Sequence, residues 1–142
     1  MKLNGRSINS GSVAGEALVT TMSVSFFGGI DPETGIVVER DHELEGECIA
    51  GKIFVFPTGK GSTVGSYTLY RLNKAGKSPL AIINAECEPI TAVGCIISGI
   101  PCVDLIPILN ISTGMLVTVY GEEGSVVIHP HFADTQSHGE EN

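Results

Sequence analysis

Apolar and polar positions change their period several times along the chain. Ala17-Leu18-Val19-Thr20 reads as a strand, and Ile36-Val37-Val38 as a shorter one. Lys52-Ile53-Phe54-Val55-Phe56 is the clearest strand, β-branched and aromatic, closed by Pro57. Leu80 to Asn84 is apolar enough for a strand buried on both faces. Between these two the period becomes helical. Val64, Tyr67, Thr68 and Arg71 recur on one face with Leu69 and Leu72 beside them, which predicts a helix over 63–75 stopped by Gly76. Residues 90–98 fit a short helix, and 103–109 read as a strand interrupted by Pro107. Leu116 to Tyr120 and Ser125 to His129 flank Gly121-Glu122-Glu123-Gly124, a β-hairpin signal. Ser25 to Gly35 reads as a turn-rich loop. No internal repeat interrupts this order. It predicts one domain of mixed α and β structure, with many strands and one or two helices.

Composition sharpens that picture. The 142 residues suit a single domain over 1–142, with 130–142 as a flexible acidic tail. Charged residues are 17%, against about 25% in an ordinary soluble chain. Mean hydropathy is +0.25, which excludes a disordered chain. Net charge is -8, which argues against nucleic acid or an anionic membrane as partner. All 8 Lys and Arg lie in residues 1–77 with 8 of the 16 acids, so residues 78–142 carry the whole net charge. That acidic half is either a solvated face or a dock for a basic surface. The N-terminus Met1-Lys2-Leu3-Asn4-Gly5-Arg6 has no apolar core of a signal peptide, and no apolar run is long enough to cross a bilayer. Cys48, Cys87, Cys95 and Cys102 sit in apolar surroundings with no C-x-x-C pair, so buried reduced thiols and a cytoplasmic chain are expected.

Three candidate motifs fail on chemistry. Gly46 to Lys52 starts like a phosphate-binding P-loop, but Ile53 stands where Ser or Thr must hold magnesium, and a strand follows instead of a helix. Gly59 to Gly65 places its third Gly one residue late for a dinucleotide fingerprint. His129, His131 and Asp134 make a poor metal set beside the chain end, so no metal site is expected.

One motif survives. The turn Pro57-Thr58-Gly59-Lys60-Gly61-Ser62-Thr63 joins the best strand to the best helix, and Ser62 falls at the helix N-cap. Gly59 and Gly61 allow a sharp bend and close approach of a ligand. Free N–H groups and the positive end of the helix dipole converge there. Such a turn can hold an anion or stabilise a serine alkoxide, or it can simply cap the helix. Gly28, Gly29 and Asp31 form either a plain tight turn or part of the same mouth.

Gly59-Lys60-Gly61-Ser62-Thr63 resembles the Gly-x-Gly-Ser-Ser turn in the swivelling domain of aconitase-type dehydratases, and more closely the small subunit of the aconitase X family. Ser25 to Gly35, Gly46 to Lys52 and Pro57 to Ser66 carry the resemblance in the right order, within residues 11–125. It implies a swivelling β/β/α fold, with a barrel-like or sandwiched β unit and packed helices. It implies a hydro-lyase active only with a large subunit that carries a 4Fe-4S cluster, with no cofactor on this chain itself. The two-chain archaeal form implies dehydration of a small phosphorylated hydroxy acid: 5-phosphomevalonate to trans-anhydromevalonate 5-phosphate, in isoprenoid biosynthesis. A hydroxyproline dehydratase of the same family and a non-catalytic docking module are the alternatives.

By the same resemblance Ser62 is the base, Gly61 and Thr63 supply donors beside it, and Lys60 helps hold the anionic substrate. Gly28, Gly29 and Asp31 would line the mouth. Val64 stands where aconitases proper carry a carboxylate-binding Arg, so a tricarboxylate substrate is not expected. Thr63 keeps a hydroxyl in place of the second Ser, and Phe27 keeps an aromatic wall where relatives often have Trp.

Overall fold

The computed structural model describes residues 1–132. Eight strands, β1 (Lys2–Asn4), β2 (Arg6–Asn9), β3 (Ser12–Val19), β4 (Ile53–Phe56), β5 (Ala81–Asn84), β6 (Cys102–Asp104), β7 (Met115–Tyr120) and β8 (Ser125–Phe132), line up in the order β1-β8-β7-β3-β4-β5-β6-β2. Three helical segments lie between them: α1 (Phe26–Gly29), α2 (Val64–Lys74) and α3 (Pro89–Ser98). A 3-10 turn spans Ile108–Asn110.

The sheet changes character along β3. Residues Ser12 to Glu16 pair antiparallel with β7, while Ala17 to Val19 pair parallel with β4. From β3 through β6 the strands run parallel, so each connection must cross over, and α2 and α3 are two of those crossovers. β1 and β2 form the two outer edges, yet only Gly5 separates them. The edges therefore meet, and the sheet folds back on itself into a barrel-like unit. Gly5 permits this because a Cβ there would lie 2.1 Å from the Asp104 carbonyl oxygen.

Alternate residues of the parallel strands serve two cores. Ile53, Val55, Ile83 and Val103 face Val117, Val119, Val126 and Ile128 of the antiparallel half, giving a sheet-on-sheet layer. Phe54, Phe56 and Ile82 face Leu69 and Leu72 of α2 and Cys95 of α3, giving a sheet-on-helix layer. Phe26 packs edge-on against Phe54 and Phe56 and ties the 20–52 excursion to that second core. The result is a β/β/α arrangement of mixed α and β structure, as the resemblance implied.

Several expectations need correction. The buried face of α2 is Gly65, Thr68, Leu69 and Leu72, leaving Val64 and Tyr67 exposed. Residues 36–38 form only single bridges, Ile30 with Val37 and Ile36 with Cys48, because turns on both sides stop a ladder. The 25–35 loop contains the short helical turn α1, broken inside by Gly28 at φ 85. Residues 103–109 split into β6 and the 3-10 turn, and Pro107 stands between them. β1 and β2 were not foreseen. β8 runs to Phe132, so the start of the expected tail is strand, while 133–142 lie outside the described residues. Cys48 is exposed and Cys87 half-buried; only Cys95 and Cys102 are the buried thiols expected of all four. The acidic half is not one solvated face, since Asp104 is fully buried and Glu88 caps α3. Among the described residues no helix is long and apolar enough to cross a membrane.

Candidate functional site

The site grows from the end of β4. After Phe56 the chain turns at Pro57, and the next residues pair with the segment leading into α1. Val24 N–H donates to the Thr58 carbonyl at 3.2 Å, and Lys60 N–H donates to the Val24 carbonyl at 2.9 Å. On the other side the turn rests on the start of α3. A Cβ at Gly59 would lie 2.3 Å from Glu88 Oε1 and 2.5 Å from Thr91 Oγ1, so only glycine fits. The same Glu88 carboxylate accepts the Ile90 and Thr91 N–H groups at 2.8 Å each. The glycine turn is thus gripped between two rigid neighbours. Gly61 then takes φ +97, and a Cβ there would lie 2.8 Å from Ser25 Oγ.

Ser62 follows, exposed, at the mouth of α2. It is not itself the N-cap; that position is Thr63, whose φ of -59 and ψ of -21 are already helical and whose side chain caps nothing. Ser62 nevertheless faces the helix end. Its Oγ accepts the Val64 N–H at 3.1 Å, and its carbonyl accepts the Gly65 N–H at 2.9 Å. The donor beside the Ser62 oxygen is therefore Val64, where Gly61 and Thr63 were expected. The first turn of α2 has no acidic side chain, so the positive end of its dipole is not neutralised from within.

Beside this turn lies an open cavity of about 370 Å3. Lys60 and Gly61 form one wall, Gly28, Gly29, Phe27 and Ser25 the other, and Glu39 closes it. Lys60 Nζ lies 3.0 Å from Glu39 Oε2. Gly28, Gly29, Lys60 and Gly61 are thus brought together as the sequence suggested, with Ser62 and Thr63 one and two residues beyond. Asp31 is not on this cavity. Its carboxylate accepts the Glu33 N–H at 2.9 Å and closes a tight turn, and it borders a second cavity of about 250 Å3 that shares Phe27 and Gly28 with the first. Ser25 and Glu39 were missed. Ser25 carries a weak signal, since it opens the Ser25 to Gly35 segment that bears the family resemblance, while Glu39 lies 21 residues from Lys60 with nothing local to mark it.

The Cys87 thiol is pushed far up by its hydrogen bond with Cys102 and by burial, so it stays neutral. Among the described residues no group of three or more His, Cys, Asp or Glu side chains is placed to hold a metal ion. His129 Nε2 is 2.9 Å from Thr118 Oγ1, within the β7–β8 pair.

Known proteins place this geometry. The aconitase X swivel domain matches residues 2–128. A phosphomevalonate dehydratase small subunit of Methanosarcina acetivorans is 53% identical over 129 residues, covering 89% of this chain and 90% of its own. The small subunit of the same name from Pyrococcus abyssi is 50% identical over 128 residues, covering 90% and 98%. The crystal structure of Thermococcus kodakaraensis aconitase X in its holo-form superposes with a TM-score of 0.90 at 51% identity, over 91% of this chain and 98% of that one. With the β/β/α layers and the Gly59–Thr63 turn already in place, the chain belongs to the aconitase X swivel-domain family.

Proposed function

We propose that this chain is the small subunit of a two-chain hydro-lyase that removes water from 5-phosphomevalonate to give trans-anhydromevalonate 5-phosphate. The observation that carries the reading is half-identity, across 89–90% of this chain, to relatives named as that small subunit. The Ser62 turn supports it on chemical grounds.

Dehydration of a β-hydroxy acid requires a base for the α-proton and a way to draw off hydroxide. Ser62 Oγ is the base. The Val64 N–H and the unneutralised end of α2 favour the alkoxide over the free hydroxyl, more strongly once a partner excludes water. The proton passes to Oγ, the C–H bond pair becomes the new carbon–carbon double bond, and hydroxide leaves with the C–O bond pair; release of the proton from Oγ restores the alkoxide and completes the loss of one water. The resemblance assigns to a large subunit an iron–sulfur cluster, which would supply the pull on the hydroxide; among the described residues of this chain no three His, Cys, Asp or Glu side chains gather to hold a metal ion. Lys60 holds an anionic group of the substrate, while Gly28, Gly29 and Gly61 leave room for it. Phe27, Val38, Val64 and Tyr67, each 45–59% exposed around the site, give the large subunit an apolar surface to close upon.

The test is a product assay. The chain is mixed with an aconitase X large subunit, and each is also assayed alone, on 5-phosphomevalonate and on hydroxyproline. Water loss from 5-phosphomevalonate by the pair only is expected. Turnover of hydroxyproline instead would move the substrate assignment, and turnover by this chain alone would overturn the two-chain reading.

A further inference from the structure

Four ion pairs occur among the described residues. Lys2–Glu123, Arg6–Asp104 and Lys52–Glu16 join strands of the sheet or their ends. Lys60–Glu39 instead lies in the lining of the cavity beside Ser62. A pair this exposed adds little to stability, so its position bears on the cavity more than on the fold.

Both partners are anchored at the backbone. Lys60 N–H donates to the Val24 carbonyl at 2.9 Å. Val38 and Glu39 N–H groups both donate to the Gly29 carbonyl, at 2.8 and 3.2 Å. Glu39 Oε1 lies so near Gly29 that a Cβ there would be 3.2 Å away. The carboxylate therefore lies against the Gly28–Gly29 turn, and the stem of Lys60 is flexible. The ion pair removes that freedom. An ammonium has three donors; with one on Glu39, two remain for a ligand. Like-charge repulsion from Glu39 directs a ligand anion to the opposite side of Nζ.

We infer that Glu39 is a positioning residue that holds Lys60 Nζ ready for the anionic group of the substrate. The inference rests on the reading that Lys60 receives that group. Preorganisation of this kind shows in binding more than in chemistry. In the reconstituted two-chain enzyme, Glu39→Gln is expected to raise KM for 5-phosphomevalonate roughly tenfold while kcat falls less than threefold. In a Lys60→Met background the same Glu39→Gln change is expected to move KM less than about twofold, because the group it positions is gone.

Equal effects in both backgrounds, or a loss confined to kcat, would overturn the role of Glu39 alone. An unchanged KM in Lys60→Met would instead remove the anion from Lys60, and this inference with it. The isolated chain gives a check that needs no activity. Lysine side-chain NMR should show a slowly exchanging Lys60 ammonium that is lost in Glu39→Gln. Its persistence in the variant would show that Glu39 does not hold it.

Discussion

Two neighbouring parallel strands feed two neighbouring helices, and the two helix N-termini are finished in opposite ways. β5 leads through Ala85–Glu88 into α3, and the backbone N–H groups of Ala85, Glu86 and Cys87 are each taken by an acceptor. Glu88 is an extended N-cap whose carboxylate accepts the Ile90 and Thr91 N–H groups, with Pro89 following. Asp104 accepts the Cys87 N–H at 2.9 Å, and the Pro57 carbonyl accepts both the Ala85 and Glu86 N–H groups at 3.0 Å. β4 leads through Pro57–Thr63 into α2, and there the helix end is left open. The Thr63 side chain caps nothing, no acid enters the first turn, and the one side-chain acceptor for a first-turn N–H is the neutral Ser62 Oγ. The closed turn buttresses the open one, since Glu88 and Thr91 fix the space available to Gly59. An open N-terminus forgoes the roughly 1 kcal/mol that a cap would contribute, and the proposed role of Ser62 gives that loss a use, since an unneutralised helix end favours an anion.

The contrast can be broken first at Ser62. Ser62→Ala in the reconstituted enzyme is expected to lower kcat by about a thousandfold or more, while the complex still assembles. Activity near the wild-type level would remove Ser62 as the base.

The next largest effect should appear on the closed side, in stability. Asp104 is fully buried and takes the Arg6 guanidinium at 2.7 and 2.9 Å. Burial raises its pKa, but the Arg6 hydrogen bonds and the Cys87 N–H outweigh that and hold the carboxyl below its ordinary value. Asp104→Ala should cost about 2 kcal/mol in urea unfolding, chiefly by stranding the Cys87 N–H. The sign of the pH effect follows from the depressed pKa. Its contribution is complete above the unfolded value of about 4 and is lost as pH falls through the lower folded value. Asp104→Asn should therefore flatten the acid limb of the stability curve; an unchanged limb would mean that other carboxylates set it.

Glu88→Ala should cost about 1–2 kcal/mol through the lost cap, read as a shift in the urea midpoint with an unchanged slope. The smallest effect belongs to the open side. Thr63→Ala should change stability by less than about 0.5 kcal/mol, since its side chain makes no cap. A loss as large as that of Glu88→Ala would show that the two helix ends are not finished differently at all.

Features written in consecutive residues were legible from the sequence. Period and punctuation located β4, α2, β5, α3 and the β7–β8 hairpin, because β-branched runs, helical spacing, Pro57, Gly76 and the Gly121–Gly124 turn act locally. The Gly59–Thr63 turn was legible for the same reason, and its motif pointed to the family. Spacing also misled. Val64 and Tyr67 share helical spacing with Thr68, yet face outward, since the burial of Gly65 and Gly94 where α2 meets α3 decides which stripe turns inward.

Only the tertiary structure decided what depends on distant partners. β1 and β2 are too short and polar to declare themselves; they become strands by pairing with β8 and β6, whose partners lie about a hundred residues away. Asp104 reads as one more acid of an acidic half until Arg6, 98 residues distant, and the Cys87 N–H fix it in the interior. Glu39 has no local signal, and Asp31 has one that leads only to a turn. A sequence records which conformations each short segment prefers, because those preferences act between near neighbours. Which side chains face one another across a cavity is set by the closure of the whole sheet, and that placed Lys60 against Glu39 and left Ser62 at the open end of α2.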